Sequence, residues 1–213
     1  MILKKTLLLV TSFILLTGCS EVAHPSLVSK TEPPSQIEKL NIWIPIEWDT
    51  KTIEFEHLSI EDGLSQSVVN AIIQDHLGFM WFGTQDGLNR FDGKEIRIFK
   101  SDPDQKGSIC NNFIQSLYED SQGILWIGTF GGGLNRYDPK TEEFTCYLPD
   151  PENPQSISHP TVSQITQASD GTFWLGTNGG GLNHFDPVAE TFVAYRHNPD
   201  DPESISDDVV LQV

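Results

Sequence analysis

The stretch LWIGTFGGGLNRYD, Leu125 to Asp138, decides the fold because close copies of it occur on either side. An earlier copy, MWFGTQDGLNRFD, starts at Met80, and a later copy, FWLGTNGGGLNHFD, starts at Phe173. A period of about 40 to 50 residues is typical of repeat proteins in which each copy is one supersecondary unit. All three copies carry a tryptophan at their second position, spaced first 45 and then 48 residues apart: Trp81, Trp126 and Trp174.

Within the second unit, the pattern predicts four β-strands. An apolar run from Phe113 to Tyr118 precedes the turn DSQG, and a second short strand follows over Leu125 to Thr129. LNRYD and EEFTCYL then follow, separated by an Asp-Pro turn. Glycine and proline interrupt the chain too often for helices of ordinary length. We therefore predict an all-β fold, a β-propeller with blades of four antiparallel strands.

The repeats also predict the domain organisation. Residues 52–213 hold the propeller repeats, with units at about 60–102, 103–150 and 151–198 and a partial unit at 199–213. About three complete blades and part of a fourth make an incomplete propeller, because closed propellers have roughly four to eight blades. TIEFEHLSI, Thr52 to Ile60, resembles the outer strand of a closing blade. We interpret the chain as a truncated piece of a longer protein, with self-association through open blade edges as the alternative.

The N-terminal segment has the features of an export signal. Two lysines precede the apolar run Thr6 to Leu16, which is too short to span a bilayer. LTGC then places Cys19 after a small residue, as in the bacterial lipobox. We expect residues 1–18 to be a signal peptide and 19–51 to be a lipidated cysteine and a flexible tether. The protein would then be exported to the periplasm or cell envelope and held on the membrane through Cys19, with a plain secretory signal or an uncleaved anchor as alternatives.

The net charge limits the possible partners, and the cysteines and histidines limit the possible disulfides and metal sites. The net charge of −17 argues against nucleic acid as a partner, because phosphates would be repelled. After Cys19 only Cys110 and Cys146 remain. An exported compartment permits a disulfide, but the repeat pattern assigns these cysteines to different strands of one blade, and we favour unpaired thiols. No spacing typical of metal ligands occurs, so neither a metal nor another cofactor is expected.

The unit G-x-x-W-x-G-T-x-x-G-L-N-R-[FY]-D resembles the two-component regulator propeller repeat. The segment Phe55 to Gly93 is similar to the start of that family's sensor domains, although His184 and Ala168 depart from the arginine and aspartate of the earlier copies. The resemblance implies an exported ligand-sensing propeller of a two-component-type signalling protein. In the family, a membrane helix and a histidine kinase or diguanylate cyclase follow the propeller. This chain carries no kinase or cyclase motif, so it is expected to be non-catalytic.

The repeated glycines, tryptophans and arginines have structural interpretations. A phosphate-binding loop leads into a helix and usually carries a lysine, whereas residues 131–133 lead into another strand. A hairpin turn with positive φ is therefore predicted there. The tryptophans are predicted to pack between blades rather than to stack on sugars. Arg90 and Arg136 are predicted to pair with acids on the same or the next blade.

The expected binding face is the end of the propeller where the turns between second and third strands meet the inter-blade loops. Variation among copies at these places suits a face to which each blade contributes a different group. The ligand would be a small molecule or a carbohydrate breakdown product. A lipoprotein scaffold for another protein is one alternative, and a propeller hydrolase or lyase is another, although no catalytic residues can be singled out. The candidate ligand-binding residues are Gln85, Asp86, Phe130 and Asn178 from the turns and Asn111, Asn112 and His159 from the loops.

Overall fold

The computed structural model describes residues 56–213, so the predicted signal peptide, Cys19 and nearly all of the tether lie outside the described residues. The described part forms three sheets, each of four antiparallel strands that are neighbours in chain order. No helix in this part is long and apolar enough to cross a bilayer. The strands are β1 Val69–Gln74, β2 Met80–Thr84, β3 Gly87–Phe91, β4 Ile96–Phe99, β5 Ile114–Glu119, β6 Leu125–Thr129, β7 Leu134–Asp138, β8 Glu143–Tyr147, β9 Val162–Gln167, β10 Phe173–Thr177, β11 Leu182–Asp186 and β12 Thr191–Tyr195.

The all-β fold of four-stranded blades is confirmed, and the strands of the second unit lie within one residue of their predicted positions. All five residues of β6 are buried, because the neighbouring sheets cover both faces of the middle blade. The predicted outer strand at the start of the repeats is wrong for its described part, residues 56–60. That part forms no strand and leads into a turn, in which the carboxylate of Asp62 accepts hydrogen bonds from the backbone and hydroxyl of Ser59.

Glycine in the second strand of each blade lets the sheets approach closely. A Cβ on Gly128 would lie 2.7 Å from the carbonyl oxygen of Val162 in the third blade. A Cβ on Gly176 would lie 2.6 Å from the carbonyl oxygen of Val210, in the segment that follows the third blade. Since real Cβ contacts of this length essentially do not occur, any larger residue would push the neighbouring backbone away. The glycine before each repeated threonine is therefore required for blade packing.

Two apolar clusters fill the spaces between consecutive sheets. Trp81 packs with Tyr137 and Phe99 between the first and second blades, and Trp126 packs with Phe173 and Phe185 between the second and third. Both tryptophans are about 2% exposed, which confirms the predicted packing between blades. The third tryptophan, Trp174, is only partly buried and stacks against His184 and Tyr195 of its own sheet: their ring centroids are 4.6 and 5.7 Å from its own.

The expectation of unpaired thiols is wrong, because Cys110 and Cys146 form a disulfide with Cα atoms 6.2 Å apart. Cys110 lies in the loop before β5 and not on a strand. Asn135 of β7 brings the two together: it stands opposite Cys146 in the β7–β8 register, and its side-chain oxygen accepts the N–H of Cys110 at 2.9 Å. The sequence pattern placed both cysteines in one blade but did not show that this loop crosses the outer strands.

Candidate functional site

The repeated glycines form hairpin turns that are locked to the following unit. Gly131 and Gly133 have φ angles of 101° and 67°, which confirms the predicted positive-φ turn between β6 and β7. Both of their N–H groups donate to the carbonyl oxygen of Pro160 in the loop before β9, at 3.1 and 2.7 Å. In the third unit the N–H groups of Gly179 and Gly181 bind the carbonyl oxygen of Asp208 in the same way, and in the first unit the N–H of Gly87 alone binds that of Asn112. A protein carbonyl thus occupies the place where an anion would bind, and a phosphate-binding role is excluded for these turns.

The threonine and asparagine of the repeated GT and LN pairs are buried and hold each turn from inside. Thr129 Oγ1 donates to the carbonyl oxygen of Gly133 at 3.0 Å and accepts the N–H of Gly132 at 3.0 Å. Asn135 donates its side-chain amide to the carbonyl oxygen of Gly132. The same side chains are fully buried in all three units: Thr84, Thr129 and Thr177, and Asn89, Asn135 and Asn183. The sequence interpretation missed this role, although the unvaried repetition of GT and LN was a usable indication.

The candidate ligand-binding residues do lie at one end of the blades, which we call the turn face. It holds the turns after β2, β6 and β10 and the loops before β5 and β9, because antiparallel strands bring these connections to the same end. Gln85, Phe130 and Asn178 occupy equivalent, solvent-exposed positions there. Phe130 is 47% exposed and leans on Phe113, with ring centroids 5.3 Å apart. The turn face therefore presents an amide, an aromatic ring and a second amide from consecutive blades.

The other four candidates make local contacts that shape the turn face. Asp86 forms an exposed ion pair with Lys100 at 2.7 Å. The side-chain oxygens of Asn111 and Asn112 and the Nδ1 atom of His159 each accept a backbone N–H of a nearby loop residue, at 2.8, 2.7 and 3.1 Å respectively. Each of these loop side chains therefore already holds a backbone group. The side chains at the three turn positions form no hydrogen bond within residues 56–213 and are available to a ligand.

At the other end of the blades, which we call the opposite face, aspartates fix the core tryptophans. Asp120 Oδ2 accepts the indole N–H of Trp126 at 2.8 Å, and its Oδ1 accepts the backbone N–H groups of Gln122 and Ile124. Asp75 holds Trp81 in the same way. These carboxylates are structural hydrogen-bond acceptors that hold the indole rings in place.

The first junction, between the first and second blades, is closed at the opposite face. The side chain of His76 lies over Gly123 and binds the carboxylate of Glu119, whose hydrogen bond raises the pKa of the imidazole. Nη2 of Arg90 lies 3.5 Å from Oε1 of Glu142, an acid of the next blade, and Nη1 of Arg90 donates to the Tyr137 hydroxyl at 3.3 Å. The ion-pair prediction is confirmed for Arg90, and the cavity lined by His76, Arg90 and Tyr137 is only about 130 Å³.

The second junction, between the second and third blades, is open. Here a cleft of about 490 Å³ lies between the β5–β6 connection of one blade and the β9–β10 and β11–β12 connections of the next. Arg136, the counterpart of Arg90, lines this cleft and forms no ion pair within residues 56–213, so the prediction is wrong for this arginine. The acid at the Glu142 position, Glu190, instead accepts the Tyr147 hydroxyl at 2.9 Å. Burial and this bond raise the pKa of Tyr147.

Solved structures with the same architecture come from B. thetaiotaomicron. The extracellular domain assigned to a hybrid two component system is 31% identical to this chain, with a TM-score of 0.65. The match covers 72% of this chain and 21% of that one. An extracellular domain assigned to a one component system has a TM-score of 0.59 at 19% identity, covering 73% and 20% of the two chains, and this likeness concerns the fold.

Sequence relationships agree with the fold. The histidine kinase P4 of Formosa agariphila is 47% identical over 55 residues, which are 26% of this chain and 4% of that protein. This chain thus spans about a fifth of the length of the solved structures and a small part of the kinase. The family model described as "Two component regulator propeller" matches residues 63–86, 108–131 and 156–179, one match in each blade. The chain therefore contains three two-component regulator propeller repeats, one in each blade of the described part.

Proposed function

We propose that this chain is the exported ligand-binding region of a two-component-type signalling protein and that it has no catalytic role of its own. The observation that carries the proposal is the likeness, at 31% identity and a TM-score of 0.65, to the extracellular domain assigned to a hybrid two component system. An extracellular location of such domains supports export of this chain as well. A scaffold role for another protein is the competing function.

The turn face supports ligand binding because each turn has a fixed backbone and carries an exposed side chain that differs between the copies. Thr129 and Asn135 fix the backbone of each turn from inside, and the N–H groups of Gly131 and Gly133 fix it to the next unit. On this frame, the residue that follows the repeated threonine changes from copy to copy and is exposed. A sensor needs side chains that can vary without disturbing the fold, and rigid elements position such groups accurately.

Binding of a carbohydrate panel to the full chain tests this proposal. We expect saturable binding of one glycan class, weakened about two- to tenfold when Phe130→Ala removes the exposed ring, since stacking on an aromatic ring contributes roughly 0.5–1.5 kcal/mol. Leu77→Ala is the matched control, because Leu77 is an exposed apolar residue of the opposite face. Absence of saturable binding by a folded chain, or equal weakening by both variants, would contradict a ligand site at the turn face.

Membrane attachment through Cys19 is proposed from the sequence alone. Cells that express the chain should incorporate a labelled fatty acid into it, and Cys19→Ser should abolish the label and release the protein from the membrane fraction. Cys146→Ser is not expected to reduce labelling, since Cys146 lies within the folded unit. Labelling that persists in the Cys19 variant would contradict this proposal. Self-association through open blade edges stays a prediction, to be checked by light scattering.

A further inference from the structure

The open cleft at the second junction has the size of a ligand site. Its volume of about 490 Å³ falls within the range of roughly 300–1,000 Å³ usual for small-molecule pockets. It lies at the opposite face, at the other end of the blades from the candidate turn-face residues. An occupant of this cleft would therefore not overlap with a ligand bound at the turn face.

The closed first junction shows which groups fill the equivalent space between the first and second blades. Its arginine, Arg90, binds the hydroxyl of Tyr137 and the carboxylate of Glu142. Arg97 also donates to Glu142, at 2.6 Å, and together these contacts neutralise the acid. The imidazole of His76 covers the remaining opening by packing over the connection of the next blade.

Three of these closing groups are replaced at the second junction, while the arginine and the acid are kept as Arg136 and Glu190. Phe185 stands at the position of Tyr137 and offers no hydroxyl, and Thr145 stands at the position of Arg97. Ser121 stands at the position of His76 and is too short to cover the opening. As a result, the Arg136 guanidinium donates no hydrogen bond within residues 56–213, although it lines the cleft and is partly buried. A guanidinium has five donors in a fork that matches a carboxylate, so an acid group from a ligand would fit here.

The acidic residues that line the cleft with Arg136 indicate which other groups the ligand carries. Oδ1 of Asp186 accepts the N–H groups of Val188 and Ala189, and Oδ1 of Asp170 accepts the hydroxyl of Thr172, whose hydrogen bond lowers the pKa of Asp170. The second oxygen of each carboxylate accepts no donor within residues 56–213 and is available to a hydroxyl group. Such a negative surround repels multiply charged anions but suits a ligand that carries one negative charge and several hydroxyl groups.

We propose that the cleft between the second and third blades binds a small hydroxylated monocarboxylate, a sugar acid, whose carboxylate is held by Arg136. Its hydroxyl groups donate to the free oxygens of Asp170 and Asp186. Gln122 lines the same cleft and supplies an amide group for a remaining hydroxyl, whereas the amide of Gln167 already bonds the N–H of Ser121 and the carbonyl oxygen of Gly171.

Binding to the full chain is measured by NMR titration, with D-glucuronate as the probe. D-glucose has the hydroxyls without the carboxylate, acetate has the carboxylate without the hydroxyls, and inorganic phosphate carries more charge. We expect glucuronate to bind at least tenfold more tightly than each of the three, with the largest amide shifts at Gly171 and Thr172. Equal binding of acetate or phosphate, no binding of glucuronate, or shifts confined to the turn face would each overturn the proposal.

Three variants test the position of the ligand. Arg136→Gln should weaken glucuronate binding at least tenfold, whereas Lys140→Gln, which removes the same charge from an exposed turn outside the cleft, should change it less than twofold. The double variant Ser121→His with Gln167→Glu rebuilds the closure of the first junction and should abolish binding while Arg136 stays in place. Retention of binding by this filled variant would overturn the proposal even if Arg136→Gln failed to fold.

Discussion

Replacing Thr129 by valine tests whether the buried threonine holds the repeated turn. The substitution keeps the shape of the side chain but removes the hydroxyl, which donates to the carbonyl oxygen of Gly133 and accepts the N–H of Gly132. The carbonyl oxygen of Gly133 keeps a second donor, the backbone N–H of Thr129 at 3.2 Å. The N–H of Gly132 keeps no other partner within residues 56–213, so the variant buries one unsatisfied donor.

The expected cost follows from that unsatisfied donor. A buried polar group without a partner costs about 1–3 kcal/mol, so we expect the free energy of unfolding to fall by about 2 kcal/mol. That loss changes the folding equilibrium by a factor of roughly 30. For a domain of this size, the midpoint of thermal unfolding should fall by about 4–8 °C.

Urea unfolding of the full chain, followed by tryptophan fluorescence, measures the change. Thr145→Val is the matched control, because Thr145 is exposed on β8 in the same blade, and it should change the free energy by less than about 0.5 kcal/mol. Thr177→Val repeats the test in the third blade, where the hydroxyl makes the same two bonds. A Thr129 variant as stable as the control would refute the argument that this hydroxyl holds the turn.

Three further predictions follow from contacts between and within blades. Removing the disulfide by Cys110→Ala with Cys146→Ala opens a link between residues 36 apart, and the chain-entropy relation gives a loss of about 4 kcal/mol in the same urea assay. Gly128→Ala would place a Cβ 2.7 Å from a carbonyl oxygen at the start of β9, and overpacking of this kind costs about 1–3 kcal/mol. His76 should titrate in NMR above its ordinary pKa of 6.5, because Glu119 stabilises the imidazolium. Its contact with Glu119 therefore favours the folded state below that ordinary pKa and is lost as the pH rises through the raised value.

Each of these predictions has an outcome that contradicts it. An alanine pair at the cysteine positions that unfolds like the parent chain would show that the link adds no stability. An alanine at Gly128 that leaves the unfolding free energy unchanged would contradict the close approach of the second and third blades. For His76, Glu119→Gln should return the pKa towards 6.5, and an unchanged titration in that variant would exclude the carboxylate as the cause.

A comparison of the repeats shows which features of the second junction could be predicted from the sequence. Arg136 aligns with Arg90, and the sequence predicted ion pairs for both, but only Arg90 has one. Whether the repeated arginine finds a partner depends on its neighbours. In the next unit Phe185 replaces a tyrosine, and on the outer strand of the same blade Thr145 replaces an arginine. A comparison of each repeat with its neighbours, position by position, would have shown these replacements. It would not have shown that the side chains meet at one junction.

The sequence by itself determined the blades, their strands and the inward packing of Trp81 and Trp126, because these depend on local strand patterns and on a repeat that recurs every 45 to 48 residues. Only the tertiary structure decided the disulfide and the cleft. Cys110 and Cys146 meet because a loop crosses to the outer strand of its own blade, and Arg136 is left without a partner because of how two sheets face each other. Such contacts join residues far apart in the chain, and their distances follow from the packing of whole blades rather than from any local pattern.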